Sequence, residues 1–228
     1  MLILFDIDGT LLRTEGAGIS AMLNAARELF PANAFSFEKI SLSGRLDPLI
    51  WKDLMTSAGI DASPEMHAVF RARYGHYLQV GFDANSRSHA LPGARTLVAA
   101  LHAHEECDLG LLTGNYEHTG RLKVVQAGFS LEPFQFNAWA DDGVHRRDLP
   151  PIALRRHAAS HGREIDPSRI VILGDTPLDI DCAHFNGCQV IAVATGAHPE
   201  GELREHNPDL LVSSLENWQE ILSWITSR

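Results

Sequence analysis

Three short polar stretches carry the residues whose types and spacing could do chemistry. They read Asp6-Ile7-Asp8-Gly9-Thr10, Thr113-Gly114-Asn115 and Gly174-Asp175-Thr176-Pro177-Leu178-Asp179. Asp6 and Asp8 are two positions apart, so on an extended strand their side chains share a face. Two carboxylates held close resist joint ionisation unless a cation neutralises them or one keeps its proton. Phosphoryl transfer through an aspartyl-phosphate uses both states: one carboxylate attacks phosphorus, and the other protonates the leaving oxygen and later activates water. Asp6 then takes the nucleophile's place and Asp8 that of the acid. Asp175 offers a hard oxygen suited to Mg²⁺, which prefers a few carboxylates plus water and substrate phosphate. Thr113 with the Gly114 and Asn115 amides can hold non-bridging phosphate oxygens. Gly9 lets the chain bend, and Thr10 adds a hydroxyl and an N–H for phosphate. Each stretch alone has an ordinary structural reading, Asp175 as a helix N-cap among them. All three in this order, each closing an apolar run, point to a site.

Those apolar runs are the elements that must position the chemistry. Residues 2–6, 108–113, 169–175 and 189–195 are apolar runs of strand length that end in polar or acidic residues, which suits parallel strands covered on both faces. Residues 134–139 and 209–213 are weaker strand candidates. Helical patterns at 94–105, 118–126, 151–161 and 177–185 alternate with them, several opened by Pro and closed by Gly. The alternation predicts an α/β fold, a Rossmann-like doubly wound parallel sheet. From 14 to 90 the pattern is helical only, at 19–30, 46–58 and 64–80. The expected organisation is therefore a core of residues 1–13 and 91–228 with an inserted α-helical cap at 14–90.

Composition limits the partners. The 228 residues carry a formal net charge of −10, which disfavours nonspecific binding of nucleic acid. An anionic substrate must be attracted by a metal or by a few placed cations rather than by the bulk field. No apolar run approaches the roughly 20 residues that span a bilayer, and the amino terminus is too short and too soon acidic for a signal peptide. Cys107, Cys182 and Cys188 show no paired spacing and read as buried thiols of a reducing, cytoplasmic protein. Among the 12 histidines none is read as combining His-x-x-x-His spacing with an acid; His118, near Asn115, is the one to watch. In the helical interval, Ser43-Gly44-Arg45-Leu46-Asp47 is the most suggestive stretch, with Arg45 able to grip a substrate anion and Asp47 near a helix N-cap. Glu15 and residues 16–18 could form a flap beside the first acidic stretch.

The three stretches resemble the first, second and fourth motifs of the haloacid dehalogenase-like hydrolase superfamily, and the helical interval resembles its cap. The likeness runs along nearly the whole chain, with its phosphoglycolate phosphatases as the nearest group. It implies a Mg²⁺-dependent aspartyl-phosphate mechanism on a small phosphorylated metabolite. It also implies that the Asp6 carboxylate and the Asp8 backbone carbonyl bind the metal beside Asp175, with Asp179 a ligand or just behind one. Asp8 separates the chain from the dehalogenases of the superfamily, which lack an acid there. One motif departs: no Lys follows Lys123, so the cation that faces the nucleophile must be Arg146 or Arg147. Arg146 is preferred, because some members carry an Arg three residues before a Leu at this point. An Arg would bind phosphate with a planar fork where Lys offers a point charge. The alternatives on the same scaffold are a phosphosugar mutase and a non-catalytic phospho-acceptor module; the sequence sets no oligomeric state.

Overall fold

The computed structural model describes residues 1–61, 63–84 and 88–227. β1 (Leu2–Phe5) is fully buried, with Ile3 and Phe5 in one core cluster and Leu2 and Leu4 in another. Successive strand residues point to opposite faces, so a run apolar at every position is what a strand covered on both sides requires. Each such side chain is worth about 1.5–3 kcal/mol relative to exposure. After β1 come β2 (Leu12–Arg13), α1 (Ala17–Leu29), α2 (Asp47–Ser57), α3 (Pro64–Ala84) and β3 (His89–Ala90). Then follow α4 (Ala94–His102), β4 (Asp108–Leu111), α5 (Glu117–Gln126), α6 (Leu149–His161), β5 (Ile170–Gly174) and α7 (Pro177–Phe185). β6 (Gln189–Val193), α8 (Glu200–Glu205), β7 (Leu210–Val212) and α9 (Trp218–Thr226) complete the chain.

The main sheet is parallel, in the order β4-β1-β5-β6-β7. Residues of α4, α5 and α9 pack in the cluster with Ile3 and Phe5, and those of α6, α7 and α8 in the cluster with Leu2 and Leu4. This is the expected Rossmann-like α/β fold. The chain places β4 on one side of β1 and β5 on the other, so strand order reverses at β1. The crevice beyond the carboxyl ends of these three strands is where such sheets bind ligands.

Two details differ from the sequence reading. Residues 134–139 do not form a strand of the sheet; they run beside β4, paired along it through the isolated bridges Leu109↔Phe134 and Leu112↔Ala138. The Asn137 side chain accepts the Leu111 N–H at 2.9 Å, taking a place that a continuous ladder would fill. The interval read as purely helical also ends in a strand: β3 pairs antiparallel with β2, at the two points where the chain leaves and re-enters the sheet layer. Two-residue strands carry no periodicity, so pattern reading cannot register them.

The helices α1, α2 and α3 have a core of their own, with Trp51 stacked on Phe70 at 4.3 Å and Tyr74 edge-on to Tyr116 at 6.3 Å. Tyr116 belongs to the turn before α5, so this aromatic cluster fastens the helical layer to the sheet layer. A second tie is the Asp47 N–H, which donates to the Gly114 carbonyl at 2.7 Å. The approach depends on glycine: a Cβ at Gly114 would overlap the Arg45 carbonyl. Among the described residues no helix is long and apolar enough to cross a membrane.

Candidate active site

Asp6, Thr113 and Asp175 follow β1, β4 and β5, three adjacent strands, and line one cavity of about 520 Å³. Asp8, Asn115 and Arg146 line it from the same side, and Glu15, Arg45, Asp47 and Tyr74 from the helical layer. Asp6 is buried, and its Oδ1 lies 3.2 Å from Arg146 Nη2. Arg146 sits in a short 3-10 turn before α6; it also pairs with Asp179 and donates to the Gly44 carbonyl at 3.0 Å. Arg147 points elsewhere. It grips Asp181 with both ends of its fork, lies over the Phe185 ring at 4.5 Å and does not line the cavity. Neighbours in a 3-10 turn project in different directions, which is why two adjacent arginines that read alike in sequence diverge here.

The third acidic stretch is organised by a capping box. Thr176 is the N-cap of α7, its Oγ1 accepting the Asp179 N–H at 3.2 Å, while Asp179 Oδ2 accepts from the Thr176 N–H and hydroxyl at 3.1 and 2.7 Å. The helix start is thereby satisfied without Asp175, whose carboxylate turns to Asp6. Asp179 is fully buried, with Oδ2 in the cap and Oδ1 on Arg146, so it holds Arg146 in position. Thr10 is also fully buried, and its hydroxyl donates to Asp175 Oδ1 at 3.2 Å rather than opening into the cavity. Gly9, at φ 85°, makes the turn that puts Thr10 there, and a Cβ on it would collide with the Asp175 carboxylate.

The acids strain against one another. Burial pushes Asp6 up to about 6, opposed by Arg146 and reinforced by Asp179 and Asp8. Burial likewise raises Asp175 well above the carboxylate range, with Asp6 and Asp179 adding to it. Ligand atoms of Asp6, Asp175 and Asp179 lie within 4.8 Å of one another, and Arg146 is the cation that reaches this group among the described residues. Three buried carboxylates against one guanidinium leave an excess of negative charge that a divalent cation would relieve. An all-oxygen set of this kind fits a hard ion.

Two further residues complete the site: Lys123, to which the sequence assigns no role, and Asp47, read there only as standing near a helix N-cap. Lys123 on α5 is buried, and its Nζ donates to Asp8 Oδ2 at 2.7 Å and to Asn115 Oδ1 at 2.5 Å. Asn115 in turn donates to Asp8 Oδ2 and to Thr113 Oγ1, both at 2.8 Å. Its side chain, not only its backbone, therefore organises the acid. A Lys inside a helix reads as solvated. The signal available was its place among Thr119, Gly120 and Val124, the small and apolar stripe that α5 buries.

Asp47 is the second. Rather than capping its own helix it accepts the Tyr116 N–H at 3.1 Å, and burial pushes it up to about 7, against the pull of Lys123 and that N–H. The unfolded chain releases this proton near pH 4, so between about pH 4 and 7 only the folded state holds it, and stability falls as pH rises through that window. In metal-free protein, Asp47→Asn is expected to flatten this part of the curve, by on the order of a few kcal/mol. Denaturant titrations at pH 4.5 and pH 8 measure it, and curves that stay parallel to wild type would refute it.

Arg45 lines the cavity but is engaged with Asp53 at 2.5 Å, one step along the helical layer. Glu15 takes a left-handed φ of 47° at the cavity edge and faces His89 at 3.6 Å. His118 stands against Gly75 of α3 and is not part of the cavity lining.

A parallel sheet with its acids gathered at the switch point of β1, under a helical insert, defines a Rossmann-like α/β protein with a buried carboxylate site. Residues 3–184 match the family described as haloacid dehalogenase-like hydrolase, and the chain belongs to that family. It is 26% identical over 217 residues to a phosphoglycolate phosphatase from Vibrio vulnificus, an alignment covering 94% of this chain and 92% of that one. A solved structure from Haemophilus somnus, described as a predicted phosphoglycolate phosphatase, superposes with a TM-score of 0.69 at 19% identity, covering 97% of both chains. A beta-phosphoglucomutase from Clostridium difficile gives 0.70 at 17% identity, covering 99% of this chain and 97% of that one. At such identities the solved structures show the shared fold alone.

Proposed function

We propose that this chain is a Mg²⁺-dependent phosphatase that hydrolyses a small phosphomonoester of the cytoplasm through an aspartyl-phosphate on Asp6. The observation that carries the reading is the placement of Asp6 beside Arg146 and Asp175, with Asp8 held across the same cavity by Lys123 and Asn115. Asp6, the Asp8 carbonyl and Asp175 would hold the ion, which supplies charge neutralisation for the attacking carboxylate and the phosphoryl oxygens. An Asp6 oxygen forms a bond to phosphorus as the ester oxygen leaves with a proton from Asp8. Water then attacks the phosphorus, passing its proton to Asp8, and phosphate departs from a regenerated Asp6. Thr113 and the amides beside it bind non-bridging oxygens, and Arg146 balances the nucleophile. Residues 14–90 act as the cap that closes the cavity and chooses the substrate, with Arg45 able to exchange Asp53 for a substrate anion.

Similarity to phosphoglycolate phosphatases along most of the chain supports small phosphorylated acids as the first substrates to try. The test is phosphate release from a panel of phosphomonoesters, phosphoglycolate included, with Mg²⁺ and with a chelator. Turnover that persists unchanged under chelation contradicts the proposal. Isomerised sugar phosphate in place of free phosphate would indicate the mutase instead.

Lys123→Met tests the Asp8 network. It removes the donor shared by Asp8 and Asn115, and kcat is expected to fall by about ten- to a hundred-fold. Lys123→Arg is not expected to restore it, since a planar fork does not fit a site built for a point charge. Steady-state kinetics read the effect, with circular dichroism as the control for folding; kcat within two-fold of wild type (about 0.4 kcal/mol) would remove Lys123 from the machinery.

A further inference from the structure

At the opposite end of the sheet, Asp108, His157 and His161 form a cluster in which neither the acid rim nor the cap takes part. We propose that these three residues bind a borderline divalent transition-metal ion of the Zn²⁺ class, at a site separate from the catalytic one. His157 and His161 are one turn apart on α6, so they present their rings on the same helix face. That is the His-x-x-x-His spacing which the sequence reading passed over; the acid is supplied by β4, from 49 residues upstream of His157.

His157 Nε2 lies 3.0 Å and His161 Nε2 3.4 Å from the same oxygen, Asp108 Oδ2, and the ligand atoms all lie within 4.8 Å of one another. Two atoms each bonded at roughly 2.0–2.1 Å to a tetrahedral ion stand about 3.3 Å apart, so the cluster has the right size with little rearrangement. The rings are held in place: they stack on each other at 4.2 Å, and Phe136 packs against them at 4.9 and 5.5 Å. His157 is 4% exposed, and its Nδ1 has no hydrogen-bond partner, so Asp108 is what the ring's polar edge has to meet. The side chains of Asp108 and His161 are 36% and 33% exposed, which leaves a path for the ion and room for water as a further ligand.

The donor set separates this cluster from the catalytic rim. Two imidazoles and a carboxylate suit Zn²⁺, Co²⁺ or Ni²⁺, whereas the all-carboxylate rim suits Mg²⁺. Asp108 opens β4, and the rim lies beyond the strand's other end, four residues and roughly 13 Å away at ~3.3 Å per residue. An ion here would clip α6 to the amino end of β4. Binding to the folded state alone raises the unfolding temperature, by an amount that grows with the logarithm of the free ion concentration above its dissociation constant.

The experiment titrates metal-free protein with Co²⁺ in the presence of excess Mg²⁺, following visible absorption, and measures melting with and without Zn²⁺. Wild type is expected to bind one Co²⁺ with an intense tetrahedral band and to melt higher with Zn²⁺. His161→Ala and Asp108→Asn, both partly exposed and so tolerable to the fold, are expected to weaken Co²⁺ binding by at least about ten-fold and to abolish the band. Asp175→Asn is expected to keep it. A wild type without a band, His161→Ala or Asp108→Asn binding as wild type does, or a band lost in Asp175→Asn would each overturn the proposal, and the cluster would then be a hydrogen-bonded pair of histidines on an aspartate.

Discussion

Asp6→Asn is expected to lower phosphate release by on the order of 10⁴-fold or more, the scale on which loss of a catalytic nucleophile acts. The amide has nearly the carboxylate's size but no lone pair basic enough to form the phosphoryl bond. The fold should survive the change. Asp6 is raised to about 6 by burial, so in metal-free protein its ionisation costs stability as pH rises from about 4 to 6, and removing the charge removes that cost. Arg146 keeps Asp179 as its partner. The variant should therefore melt at or above the wild-type temperature at pH 8 without metal, while turning over almost nothing with it. Rapid quenching and mass spectrometry should find a phosphorylated Asp6 in wild type and none in the variant. An Asp6→Asn protein with more than about a tenth of wild-type kcat, a difference of only ~1.4 kcal/mol, would rule out Asp6 as the nucleophile.

The second large effect is expected at Arg146 and not at its neighbour. Arg146→Ala strands Asp6 and Asp179, both buried, without their counter-ion. Breaking a buried pair in this way costs about 3–5 kcal/mol of stability. If Arg146 faces the transferring phosphoryl group as proposed, loss of that fixed charge is expected to cost about 10²–10³ in kcat. Arg147→Ala removes an exposed pair with Asp181 and is expected to stay within about 0.5 kcal/mol of wild type in stability. Its kcat should be unchanged. Because Arg146→Ala can fall below the threshold for folding, Arg146→Lys is the informative partner: charge remains, but the simultaneous reach to Asp6, Asp179 and the Gly44 carbonyl does not. An intermediate loss in kcat with recovered stability is the predicted pattern. Equal effects at the two arginines would show that the burial of Arg146 has no functional counterpart.

Arg146 and Arg147 are adjacent and alike in the sequence, yet they part in the fold. A departure from the usual lysine was legible, and so was the adjacent pair, Arg146 and Arg147, that could replace it. Which arginine reaches Asp6 depends on the direction each takes from a short 3-10 turn, with Asp179 holding Arg146 on one side and Asp181 and Phe185 holding Arg147 on the other. Lys123 was only faintly legible, for a related reason. Its helix looks solvated residue by residue, and only the packing of α5 against the helical layer turns that lysine inward to Asp8. Asp47 likewise reads as a helix start, yet its carboxylate serves the Tyr116 N–H of another element.

What the sequence determined by itself was the sheet and the order of its acids. Apolar runs closing in Asp6, Thr113 and Asp175 and alternating with helical patterns suit parallel strands buried on both faces, and covalent order then places those residues at carboxyl ends. Local pattern carries that much because burial on a strand acts on each residue in turn. Tertiary structure alone decided which cations reach the acids, that Thr10 turns to Asp175, and that Asp108 meets two histidines at the far edge. Those are contacts between elements distant in the chain, fixed by side-chain direction and packing, and no periodicity in the sequence encodes them.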